Sequence, residues 1–152
     1  QRWKEQPVSL DTMDIPAVAD LIRNSSEKLL LVNVWATWCA PCVIEYPEFV
    51  DTQRMYGGRD FQFVSISMDR TEQQDKALEF LQKSHSAVPN YLYSGDDRYA
   101  FIEALDSDWS GALPYTLLIE PGGNIVWKCQ GPVDFLELRR AIVDHPMIGR
   151  YF

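Results

Sequence analysis

Leu29-Leu30-Leu31-Val32-Asn33-Val34-Trp35 runs straight into Ala36-Thr37-Trp38-Cys39-Ala40-Pro41-Cys42, and the join between the two decides the fold. The first seven residues are almost continuously apolar, the pattern of a strand buried on both faces of a sheet. The second segment carries two cysteines three apart, at the mouth of a helix predicted from about Ala40 to Tyr56 and ended by Gly57-Gly58. At the N-cap of that helix, Cys39 would meet backbone N–H groups without intrahelical partners and the positive end of the helix dipole. Both favour a thiolate over a thiol, which makes a nucleophile usable at neutral pH. Cys42, one turn further on, is placed to attack a mixed disulfide formed at Cys39. Pro41 is tolerated because a first-turn residue has no intrahelical use for an N–H.

Outward from this join, the chain alternates strands and helices. Residues 1–10 read as an irregular arm or a short edge strand. Asp14-Ile15-Pro16 opens a helix, with Asp14 as N-cap and Ala17, Val18, Leu21 and Ile22 on its apolar face. Phe61 to Met68 reads as a second strand, Thr71 to Ser84 as a helix, Tyr91 to Tyr93 as a short strand and Asp97 to Leu105 as a short helix. A hairpin follows: Tyr115 to Glu120, a Pro121-Gly122-Gly123-Asn124 turn, and Ile125 to Cys129. Asp134 caps a last helix to about Asp144. This order predicts a mixed α/β sheet with helices on both faces.

With 152 residues, 46% hydrophobic and 24% charged, the chain is expected to form one domain over 1–152 with an ordinary buried core. Its net charge of −8 and lack of Lys/Arg blocks speak against a nucleic-acid partner. The acidic groups Glu45, Glu48 and Asp51, and Asp96 and Asp97, read as solvated faces and turns. No stretch approaches the ~20 apolar residues of a membrane span. The chain begins at Gln1 rather than Met, so a signal peptide or anchor is expected to have been removed or left out.

The segment Val34 to Cys42 resembles the active-site segment of the thioredoxin superfamily, and more narrowly its TlpA/ResA/CcmG-like branch of extracytoplasmic thiol–disulfide oxidoreductases. Pro47, five residues after Cys42, falls where that family places a helix-kinking proline. Leu113-Pro114-Tyr115-Thr116 resembles its cis-proline loop, which packs on the cysteine pair and binds substrate backbone. The strand and helix near 89–105 suit a central insertion of that branch. The resemblance implies a thioredoxin-like fold and a Cys39/Cys42 dithiol couple that reduces disulfides of protein substrates. It places Trp38, Ala40, Pro41, Leu113, Pro114 and Tyr115 against the substrate. It implies no dissociable cofactor and no metal, an upstream thiol protein as electron donor (a membrane-embedded one by analogy), and a location outside the cytoplasm.

Two positions depart from thioredoxin itself. Asn33 stands where thioredoxin has a buried Asp, and Ala40 where some relatives keep an acid between the cysteines. The proton acceptor for Cys42 is therefore open. Glu45, one turn beyond Cys42, resembles a glutamate common in the branch and is a candidate, although a solvated or locally hydrogen-bonded helix residue is the expected reading.

A half zinc site needs a second Cys/His pair, and His85 and His145 are far apart and read as surface residues. Haem attachment is excluded because Val43 follows Cys42. Cys129 alternates with Ile125 and Trp127 and reads as a small core hydrophobe. Trp38 reads as a flat apolar rim beside the nucleophile, while Trp109 and Tyr99 read as core or surface packing rather than substrate contacts. Three rival functions remain: a disulfide-forming oxidase, a thiol peroxidase of the redoxin kind and a non-catalytic peptide-binding module. The peroxidase would need a Thr three residues before Cys39, and Thr37 lies too near.

Overall fold

The computed structural model describes residues 2–149. At its centre, β2 (Leu29–Trp35) pairs along its whole length with β3 (Phe61–Ser67) in parallel. Beyond β3 lie β4 (Asn90–Tyr93) and β1 (Asp11–Met13), also parallel. On the other side of β2, β5 (Tyr115–Ile119) runs antiparallel and is followed by β6 (Ile125–Gln130) through the hairpin. The sheet order is β1-β4-β3-β2-β5-β6. This is the mixed, thioredoxin-like α/β sheet that the sequence predicts.

The unbroken hydrophobicity of β2 follows from its place in the sheet, since all seven of its residues are buried. Leu29, Leu31 and Trp35 point to one face, where α3 (Ala40–Tyr56), α4 (Gln74–Lys83) and α6 (Phe135–Asp144) supply Tyr46, Phe49, Ala77, Leu81, Leu138 and Ile142. Leu30, Val32 and Val34 point to the other, against Val18 of α2 (Ile15–Arg23) and Phe101 and Leu105 of α5 (Arg98–Leu105). A strand with a polar side could not separate two cores in this way.

Helix starts follow local chemistry. Asp14, Asp97 and Asp134 each accept hydrogen bonds from N–H groups of the first turn they cap. Pro47 sits inside α3, which continues through it to Tyr56.

Several expectations are corrected. The amino-terminal arm forms a short helix, α1 (Arg2–Glu5), and the edge strand lies later, at 11–13; Gln1 lies outside the described residues. Trp3 of that helix lies under the Arg54 guanidinium, 4.0 Å from the ring centroid. The helix expected from Thr71 opens with a 3-10 turn, Thr71–Gln73, and a further turn, α7 (Pro146–Gly149), follows α6. His145 is not a surface residue: its side chain is 10% exposed and its Nε2 lies 2.6 Å from Glu120. His85 is half-buried, edge-on to Trp3. Trp109 is core, stacked on Tyr115 with ring centroids 4.9 Å apart, whereas Tyr99 is exposed.

Candidate active site

The parallel strands end where α3 begins, and the cysteine pair sits at that junction. Cys39 is the N-cap of α3, in extended backbone, and its own side chain makes no capping hydrogen bond. Its carbonyl accepts the Val43 N–H at 3.1 Å. Cys39 and Cys42 are joined as a disulfide. Cys39 is 7% exposed and Cys42 1%, so the residue nearer solvent is the one at the helix end. Trp38 projects beside them at 62% exposure, and Ala40 and Pro41 are also exposed.

The turn leading into Cys39 is held by a residue that sequence reasoning missed. Asp69, 2% exposed, accepts the Thr37 hydroxyl at 2.6 Å, the Thr37 N–H at 3.1 Å and the Ser67 hydroxyl at 2.6 Å. Three donors on one carboxylate explain how it stays buried without a cation. The only sequence signal is an Asp placed just after a strand that neighbours the one carrying the cysteines.

Pro114 immediately precedes β5, which runs antiparallel to β2, and so stands at the same end of the sheet as Cys39. The Leu113–Pro114 bond is cis. Leu113 packs against both cores, one of which contains Cys39 and Cys42. The Tyr115 side chain belongs to the opposite core, with its hydroxyl donating to Asp106 at 2.5 Å. Tyr115 can therefore meet a substrate only through its backbone.

Beneath α3, a polar row crosses the sheet in register: Asn90, Ser65, Asn33, Thr116 and Cys129. Asn33 is 1% exposed and donates to the Thr116 hydroxyl at 3.2 Å. An amide cannot take a proton from Cys42 at neutral pH.

Glu45 is the titratable group that α3 itself brings in. It is 9% exposed rather than solvated, and its bond is not local: Oε1 accepts the N–H of Val133, 88 residues away, at 2.8 Å. Its other oxygen is buried and has no hydrogen-bond partner among the described residues. Burial raises its pKa to about 7, against the pull of the Val133 N–H. A carboxyl one turn from Cys42 that titrates near neutrality can accept and return a proton.

Cys129 is half-buried rather than core. Its Sγ lies 3.6 to 3.9 Å from the carbonyls of Gln130, Gly131 and Pro132. Burial, then the charges of Glu45 and Glu137, push its thiol up. In the reduced protein near neutral pH, iodoacetamide should therefore modify Cys39 before Cys129. Mass mapping that finds Cys129 labelled first would reverse the assignment.

Among the described residues, no group of three His, Cys, Asp or Glu side chains is placed to hold a metal. None of the described helices is long and apolar enough to cross a membrane.

Fold and site together define a thioredoxin-fold protein with a Cys-x-x-Cys redox couple. The redoxin family profile matches residues 8–142, and the chain belongs to that family. It is similar to the thiol:disulfide interchange protein DsbE of Pseudomonas aeruginosa, 34% identical over 126 residues, which are 80% of this chain and 64% of that one. It is also similar to the thiol-disulfide oxidoreductase ResA of Oceanobacillus iheyensis, 31% identical over 77% of this chain and 57% of that one. The chain thus spans about three fifths of the length of these curated relatives. Among solved structures, a thiol:disulfide interchange protein from Bacteroides sp. shares the fold, with a TM-score of 0.66 at 22% identity over 96% of this chain and 92% of that one. The narrower resemblance seen in Val34 to Cys42 thus extends to relatives of the ResA and DsbE kind.

Proposed function

We propose that this chain, acting as one thioredoxin-like domain, is a thiol–disulfide oxidoreductase that reduces disulfides in other proteins outside the cytoplasm. The observation that carries the reading is the Cys39–Cys42 pair at the start of α3 with buried Glu45 one turn beyond. In the reduced protein, the Cys39 thiolate attacks one sulfur of a substrate disulfide, forming a mixed disulfide and releasing a substrate thiolate. Cys42 then gives its proton to Glu45 and attacks Cys39 Sγ. The second substrate thiolate leaves, and the Cys39–Cys42 disulfide forms. Two electrons pass from the dithiol to the substrate, and the released thiolates take up two protons. Trp38, Ala40 and Pro41 form one wall of the substrate groove, and Leu113, Pro114 and the Tyr115 backbone the other. The couple is restored by an upstream thiol protein, a membrane-embedded one by the family analogy.

Cys42→Ser should trap mixed disulfides with protein substrates on non-reducing gels, because the resolving thiol is gone. A clean monomer with no adducts would argue for a non-catalytic module. Equilibration with glutathione fixes the direction: the couple should be well below the roughly −120 mV of a strong oxidase. A value near that figure would replace reductase by oxidase.

A further inference from the structure

The turn between β6 and α6 touches both the cis-proline loop and Glu45. Gly131 donates its N–H to the carbonyl of Pro114 at 2.9 Å, and two residues on, Val133 donates its N–H to Glu45. The turn is stiff at either end. Gly131 leaves a paired strand, Pro132 has a fixed φ, and Asp134 caps α6 by accepting from Leu136 and Glu137. Gly131 has φ +92°, where a side chain is strained. A Cβ there would meet no atom within 4 Å, so the demand for glycine is conformational and not steric.

We propose that Gly131 is a positioning residue for disulfide exchange: through its own N–H and that of Val133, it fixes the cis-proline loop and Glu45 relative to one another. This rests on the proposed role of Glu45 and of the Pro114 groove. Without the turn, the substrate strand and the proton acceptor would be set by two separate elements, β5 and α3. With it, they share one anchor, and a shift of either one is felt at the other. Exchange needs the attacked sulfur and the proton acceptor in register at once, and small misplacements of reacting groups are costly.

Among the described residues, titratable and charged groups approach Glu45 from α3, β6 and α6. Cys42 lies one turn back on α3, and Cys129 faces it from β6. From α6, Glu137 bonds the Trp127 indole, and Arg139 pairs with Glu48 at 3.2 Å. The Val133 N–H favours the ionised form of Glu45, so loosening the turn should make that carboxyl harder to ionise.

The test compares Gly131→Ala with Gly131→Asn, since Asn tolerates positive φ better than Ala. Glu45 is followed by carboxyl carbon NMR in the oxidised protein, where Cys42 carries no proton. Turnover is followed with insulin and with a small aromatic disulfide. Gly131→Ala should move the Glu45 midpoint to higher pH and raise KM for insulin about tenfold. The small disulfide, which needs no strand groove but still needs Cys42 resolved through Glu45, should slow by only about threefold. Gly131→Asn should fall between Ala and the parent on both readouts. An unmoved Glu45 midpoint in folded Gly131→Ala and Gly131→Asn proteins overturns the proposal. So do equal losses on insulin and the small disulfide. Failure of the underlying reading looks different: Glu45→Gln would then leave insulin turnover unchanged whatever Gly131 does.

Discussion

Cys39→Ser should lower the reduction of insulin disulfides by about 10³-fold or more, while the protein keeps its fold. A serine hydroxyl at the same N-cap stays protonated at neutral pH, because the free N–H groups and helix dipole that suffice for a thiol fall far short for an alcohol. The isosteric exchange leaves the packing of Ala36, Trp35 and Tyr46 around the pair intact, so circular dichroism should not change. Cys42→Ser should behave differently, retaining the first attack and stalling at the mixed disulfide. Cys42 is 1% exposed and cannot easily reach a substrate sulfur itself. If Cys39→Ser still turned over while Cys42→Ser did not, the nucleophile and resolving roles would be exchanged. If neither mattered, the pair would be a static crosslink.

What the sequence made legible is what local chemistry decides. β2 was readable because burial on both faces demands an unbroken apolar run, and α3 because Cys39-Ala40-Pro41 supplies a first turn and Gly57 an end. The hairpin was readable from Pro121 to Asn124, where Gly122 and Gly123 both take positive φ. What it hid depends on partners distant in the chain. Glu45 sits on a helix that shows polar and apolar residues without clear sidedness, and only the return of the chain at Val133 buries it. Cys129 has the parity of a core position, yet β6 is an edge strand whose inner face is only partly covered, so the thiol is half-buried. Asp69 and His145 likewise owe their burial to Thr37 and Glu120, 32 and 25 residues away.

Glu45→Gln should separate stability from catalysis. Glutamine keeps a carbonyl oxygen for the Val133 N–H and removes the charge that burial opposes. In the folded protein Glu45 holds its proton to about pH 7, against a reference of 4.5, so the folded state binds more protons than the unfolded one between those values. Stability from this group is therefore greatest at low pH and falls as pH rises through about 7. A shift of that size corresponds to ~3 kcal/mol as an upper bound. Urea denaturation should find Glu45→Gln and parent nearly equal at low pH, with the variant more stable by about 1–3 kcal/mol once pH exceeds the folded midpoint. Insulin reduction should meanwhile drop by about 10- to 100-fold, because Cys42 has lost its neighbouring base. The drop should be largest near neutral pH and shrink at high pH, where hydroxide can deprotonate the thiol unaided. Identical pH dependence of stability in the two proteins would mean that Glu45 is not held in the protonated form by burial. A stability difference without loss of turnover would leave Glu45 as a buried structural carboxyl and send the proton of Cys42 elsewhere.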